Sequence, residues 1–167
     1  MKSFRLEIDN LKKCFYICDY LPKNKFSQDT KSKLILDFKD NKRSAIDLWS
    51  ANAAKECRSA FAGHIIDIVV RVLGHDEVEA GNAELPLDKL GKAISNAINA
   101  SYQPSALYKT EKNESLKFLP RVNREKELAG KYIFRSTANK WNLSVLIIDD
   151  ITTTGSTIKE VCRSITT

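Results

Sequence analysis

The sequence predicts an α/β domain in which a parallel sheet is flanked by helices, and three stretches carry that prediction. Val145-Leu-Ile-Ile148 is a run of four large aliphatics between polar residues, too short for a helix and apolar on both faces, as a central parallel strand is. His64 to Leu73 is longer, β-branched and apolar, which predicts a second central strand. Between the two, Leu87, Leu90, Ile94 and Ile98 recur at helical spacing behind Pro86, a residue permitted in a first turn, so this helix serves as a crossover connection.

At 167 residues, with 43% hydrophobic and 29% charged positions, the chain is long enough for one domain with a proper core. Its start is charged and no run approaches membrane-spanning length, and its four cysteines, at positions 14, 18, 57 and 162, follow no disulfide-framework spacing. Reduced thiols, a cytoplasmic location and no membrane partner are therefore expected. The net charge of +6 is uneven: residues 1–43 hold eleven Lys or Arg against six acids, and the remainder is nearly balanced. Residues 1–43 thus form a basic N-terminal segment ahead of a domain spanning 44–167. That segment is either a solvated lysine-rich surface or a contact for nucleic acid or a polyphosphate.

In chain order, Phe4, Leu6 and Ile8 alternate with charged residues and predict a strand, with Cys14 to Cys18 as its hairpin partner. Cys14 and Cys18 have no second pair of ligands at metal-site spacing. Ser44 to Phe61 is alanine-rich, with Ile46, Trp49, Ala53, Cys57 and Ala60 on one helical stripe and Gly63 as the stop. Trp49 is then an anchor on the sheet or core. Ser105 to Tyr108 is a short strand candidate, Lys109 to Gly130 a long polar connection of the kind that forms lids, and Lys131 to Phe134 another strand.

The chemistry concentrates after Ile148. Asp149 and Asp150 stand at the C-terminal end of their strand, where open α/β sheets form a ligand crevice. Thr152-Thr-Thr-Gly155-Ser-Thr157 then leads into a helix, with Thr157 and Glu160 at capping-box spacing. Such a loop offers backbone N–H groups, hydroxyls and a helix dipole to a phosphate. No Lys follows Gly155, which disfavours a Walker loop, and a dinucleotide fingerprint needs three spaced glycines where this loop has one. A receiver-type phosphorylatable aspartate would need more chain after Asp150. Adjacent acids suit a vicinal diol, and a phosphate one loop away describes a ribose 5-phosphate. The same residues also make ordinary turn chemistry without a ligand.

Leu146 to Thr157 resembles the phosphoribosyl pyrophosphate (PRPP) motif of the type I phosphoribosyltransferases, two acids followed by a T-T-[TG]-x-[ST] loop. Leu116 to Phe134, with Arg121, Arg124, Glu125, Gly130 and Phe134, is similar to a pattern of the competence-associated, ComF-like branch. The resemblance implies a phosphoribosyltransferase-like sheet, PRPP or a nucleoside monophosphate as ligand, Mg2+ as cofactor, and exchange of a base against pyrophosphate. By the same resemblance, Asp149 and Asp150 would be catalytic, holding the diol and possible Mg2+ contacts, with Mg2+ otherwise bound through substrate. Thr152, Thr153, Thr154, Gly155, Ser156 and Thr157 would hold the 5-phosphate. Arg71, Val72, Leu73, Gly74 and His75 would form the pyrophosphate loop, where that branch carries prolines and this chain has Arg71 and Gly74; Arg71 would either bind the diphosphate directly or, as a strand arginine, pair with a neighbouring acid. Lys109 and Lys112 would be lid lysines. Residues 1–43 would be a hood. Such sheets add a strand after the motif helix, so either the C-terminal edge is shortened, a second copy or another chain is the partner that supplies the missing piece, or the sequence is a fragment. The alternative reading is a non-catalytic PRPP or nucleotide sensor, or a DNA-uptake-related module, whose basic N-terminal segment meets nucleic acid or a partner.

Overall fold

A computed structural model describes residues 2–4, 11, 13–21, 29–81, 84–113, 119–135 and 143–166. The strand expected over Phe4 to Ile8 therefore falls mostly outside the described residues. So does the middle of the polar connection after Lys109.

β1 (Lys2–Phe4) and β2 (Cys14–Tyr16) pair antiparallel, Phe4 opposite Cys14. Next comes α1 (Thr30–Lys39), whose N-terminus is capped by the Asp29 carboxylate accepting from the Ser32 amide at 2.8 Å. α2 (Arg43–Ala60) buries Ala45, Ile46, Trp49, Ala53 and Cys57, the stripe that its sequence spacing predicts.

β3 (Ile68–Arg71) is buried throughout but shorter than the apolar run suggests. His64 and Ile65 are exposed, and the ladder starts only where Asp67 meets Ser144 through reciprocal bonds. α3 (Pro86–Ile98) follows as the crossover, its first turn held by the Asp88 carboxylate accepting from the Leu85 amide at 2.9 Å. Asn99, at φ 55°, ends it. Gly91 lets the helix sit on the ring of Tyr102, which a β-carbon there would penetrate.

The crossover delivers the chain to β4 (Ser101–Tyr102), parallel to β3. Ser105 lies instead in a 3₁₀ turn over Pro104–Ala106, because Pro104 fixes φ and bends the chain out of the sheet. β5 (Leu107–Lys109) then pairs antiparallel with β6 (Tyr132–Phe134), and α4 (Arg121–Leu128) stands between them in sequence. β7 (Val145–Ile148) runs parallel to β3 in register Ile68 to Val145 and Arg71 to Ile148, and α5 (Ser156–Thr166) follows.

The result is a mixed α/β architecture, a three-stranded parallel sheet in the order β4-β3-β7 flanked by helices and compatible with a Rossmann-like fold. Strand alternation divides the core. Ile68, Val70 and Val72 face the β5–β6 hairpin and α5, whereas Val69 faces Ala53 and Cys57 of α2 and Ile94 of α3. Burial raises the Cys57 and Cys162 thiols to about 11, so both stay protonated packing groups. None of the described helices is long and apolar enough to cross a membrane.

Candidate functional site

The site forms where β3 and β7 end side by side. The Val72 amide donates to the Ile148 carbonyl at 2.9 Å, which joins the loop after β3 to the loop after β7. The two loops expected to hold diphosphate and 5-phosphate are thus neighbours on one sheet edge.

Asp149 is half-buried and Asp150 is exposed, and both line a cavity of about 770 Å3. Residues Cys14 to Tyr20, Phe38 of α1, Trp49 of α2 and Leu90 of α3 contribute to the same cavity, with Thr152 and Thr153 at its polar side. Part of the basic N-terminal segment therefore covers the sheet end. Its Lys39 reaches Asp150 at 2.8 Å, a contact between two residues that sequence spacing could not connect. Burial raises the Asp149 carboxyl to about 7, the neighbouring Asp150 charge adds to this, and Lys39 pulls it back.

The loop from Thr152 to Ser156 keeps its donors available. The Lys159 amide donates to the Gly155 carbonyl at 2.9 Å, so helical bonding begins at Gly155. The amides of residues 152–158 have no partner among the described residues. Gly155 adopts φ 74°, a left-handed conformation that turns the loop into the helix. Thr154 and Ser156 hydroxyls meet at 2.9 Å, and the Thr153 hydroxyl accepts from Arg124 of α4 at 3.2 Å. The capping box expected at Thr157 and Glu160 is not formed. Thr157 lies inside α5, and the buried Glu160 carboxylate accepts from the Gly130 amide and from Arg163. No family model, curated protein or solved structure matches this chain.

For Arg71 the structure shows the acid-paired alternative in place of a diphosphate contact, and for Lys109 the lid expectation needs correction. Arg71 does not face the crevice. Odd residues of β3 share the face of Val69, so its guanidinium lies under α3, 1% exposed, donating to Asp88 at 2.6 Å and to Glu77 at 2.8 Å. Burial alone would lower its pKa, and the two carboxylates outweigh that and hold it above its ordinary value. Lys109 is no lid lysine: it is 3% exposed at the end of β5, donating to the Gly74 carbonyl at 2.5 Å and to Asn113 at 2.7 Å. Burial lowers it to about 8. Lys112 is exposed, and the side chain of Arg121 lies outside the described part.

Val72 and Leu73 are buried at the start of their loop, and Gly74 and His75 are exposed. Glu77 folds back so that its carboxylate accepts from the Gly74 amide at 2.6 Å, and a β-carbon on Gly74 would stand 3.1 Å from the Asp76 carboxylate and 3.2 Å from that of Glu77. Among the described residues no cluster of three or more metal-ligating side chains forms. Asp149 and Asp150 alone suit a hard cation that takes its other ligands from substrate oxygens and water.

Proposed function

We propose that this chain is a phosphoribosyltransferase-type protein that binds PRPP or a nucleoside monophosphate with Mg2+ and exchanges a base against pyrophosphate. The observation that carries the reading is the row of amides at residues 152–158, without partners among the described residues, directly after the half-buried Asp149 and exposed Asp150. A 5-phosphate seats on those amides and the Thr152 and Thr153 hydroxyls, and the ribose diol donates to the two carboxylates. An acceptor nitrogen then forms a bond to C1 as the bond from C1 to the diphosphate oxygen breaks, and pyrophosphate leaves with the electron pair while the acceptor proton passes to solvent. Positive charge builds on the sugar ring, as in glycoside cleavage, and the adjacent carboxylates stabilise it. Mg2+ would neutralise the departing diphosphate, held by Asp149 or Asp150 together with substrate oxygens. The cavity beneath the N-terminal hairpin is the space for the base.

Calorimetric titration of PRPP with Mg2+ into the parent and into Asp149→Asn/Asp150→Asn tests the reading. Binding to the parent and at least tenfold weaker binding to the double variant are expected, since two charge-assisted contacts are removed. No heat with the parent, or equal affinity for both, ends it.

A second reading, a non-catalytic nucleotide sensor or competence-type module with a partner or nucleic acid on its N-terminal segment, gains support from the inward position of Arg71 and Lys109, which removes two cations from the leaving-group side. Steady pyrophosphate release from PRPP with any base of a panel decides against it. Binding without release, beside salt-sensitive DNA association, favours it.

A further inference from the structure

The loop after β3 has an arrangement that its sequence does not announce: four successive carbonyls are held from the protein side. Val72 O accepts from the Arg71 guanidinium at 3.3 Å, Leu73 O from the Tyr132 hydroxyl at 3.1 Å, and Gly74 O from the Lys109 ammonium at 2.5 Å. His75 O accepts from the Asn113 amide at 3.0 Å and from Lys109 at 3.4 Å. A trans peptide is planar, with its N–H opposite its C=O, so pinning these carbonyls inward turns the amides of residues 73–76 the other way. Glu77 occupies the Gly74 amide. Those of Leu73, His75 and Asp76 have no partner among the described residues.

We propose that Lys109 is a positioning residue which, with Tyr132, holds this loop so that the amides of Leu73, His75 and Asp76 face the diphosphate of the substrate. Within the phosphoribosyl reading, on which the inference rests, the buried lysine acts on the leaving group through backbone and never touches it. Its location supports this. Lys109 and Tyr132 are opposite each other in the β5–β6 ladder, the ammonium 5.8 Å from the ring centroid, so one hairpin grips two consecutive carbonyls. The clamp closes from the other side as Arg71 fixes Glu77, whose own amide donates to Gly74 O at 3.2 Å. Runs of outward amides are an established way for backbone to bind anions.

The test compares the parent with Lys109→Met, which keeps the stem and removes the donors, and with Tyr132→Phe, which removes one hydroxyl and keeps the ring. Each is titrated separately with Mg2+-pyrophosphate and with ribose 5-phosphate, while amide spectra follow Leu73, His75 and Asp76. Loss of oriented hydrogen bonding is expected to weaken pyrophosphate at least about tenfold in Lys109→Met and about threefold in Tyr132→Phe, with ribose 5-phosphate changed less than twofold. The three amide resonances shift on adding pyrophosphate to the parent and lose that response in Lys109→Met. If Lys109→Met does not fold, the Tyr132→Phe split alone decides. Unchanged pyrophosphate affinity, equal losses for both ligands, or a parent that binds ribose 5-phosphate but not pyrophosphate overturns this inference and leaves the 5-phosphate site standing. A parent that binds neither ligand overturns both. Pyrophosphate binding with the split, without ribose 5-phosphate binding, supports the clamp and overturns the phosphoribosyl reading.

Discussion

Lys39 of α1 and Asp150 at the end of β7 form an ion pair at 2.8 Å, so the N-terminal segment reaches the acid pair of the crevice. The contact has electrostatic consequences for Asp149. Burial and the Asp150 charge raise its carboxyl to about 7, and the Lys39 ammonium opposes them. Between about 4, the ordinary carboxyl value, and about 7, the folded protein holds a proton that the unfolded chain has released. Folded-state stability from this group is therefore lost as pH rises through that interval, and is level above it.

Diol binding needs the ionised form of Asp149, so ribose 5-phosphate affinity is expected to rise about tenfold from pH 6 to pH 8, following the ionised fraction of a group titrating near 7. Lys39→Ala moves the midpoint of this profile up and Asp150→Asn moves it down. Isothermal titration across pH measures both. Opposite shifts separate the protein group from the titration of the ligand's own phosphate, which is common to all three profiles.

Arg71 is buried between Glu77 and Asp88, and Asp88 also accepts from the Tyr102 hydroxyl at 2.7 Å. Replacing it by Met leaves two acids without their cation in a low-dielectric place. A loss of about 3–5 kcal/mol in unfolding free energy is expected from breaking such a buried pair on one side. Urea denaturation of Arg71→Met reads it directly. A loss below about 1 kcal/mol, the range of exposed pairs, would show that the guanidinium is not buried as described.

Gly155 has φ 74° and is buried between the phosphate loop and α5. Gly155→Ala forces a β-carbon into a left-handed conformation at a cost of about 1–2 kcal/mol. The loop relieves this by rotating its amides, so phosphate affinity is expected to fall together with the unfolding midpoint. Thermal unfolding and phosphate titration on one sample check the two effects.

Residue patterns made several elements legible. Periodicity located α2 and α3 almost to the residue, because an apolar stripe must face a core whatever that core is. β7, with two acids and a small-residue loop behind it, was legible for a different reason: four apolar side chains with no polar alternation have few other places to go. β4 was not legible, since two residues carry no period, and it became a strand only because α3 returns the chain alongside β3.

The sequence by itself determined the α/β character, the crossover, and the order of acids, hydroxyls and glycine that makes the candidate site. Tertiary structure alone decided what the cations do. The sequence leaves Arg71 open between an anion and a neighbouring acid and makes Lys109 a lid cation, and it is strand alternation that turns the first under α3 and the β5–β6 pairing that turns the second onto the carbonyls of Gly74 and His75. Charge is a property of a residue, whereas the partner of that charge depends on which face of a strand it occupies and on what distant segment covers it.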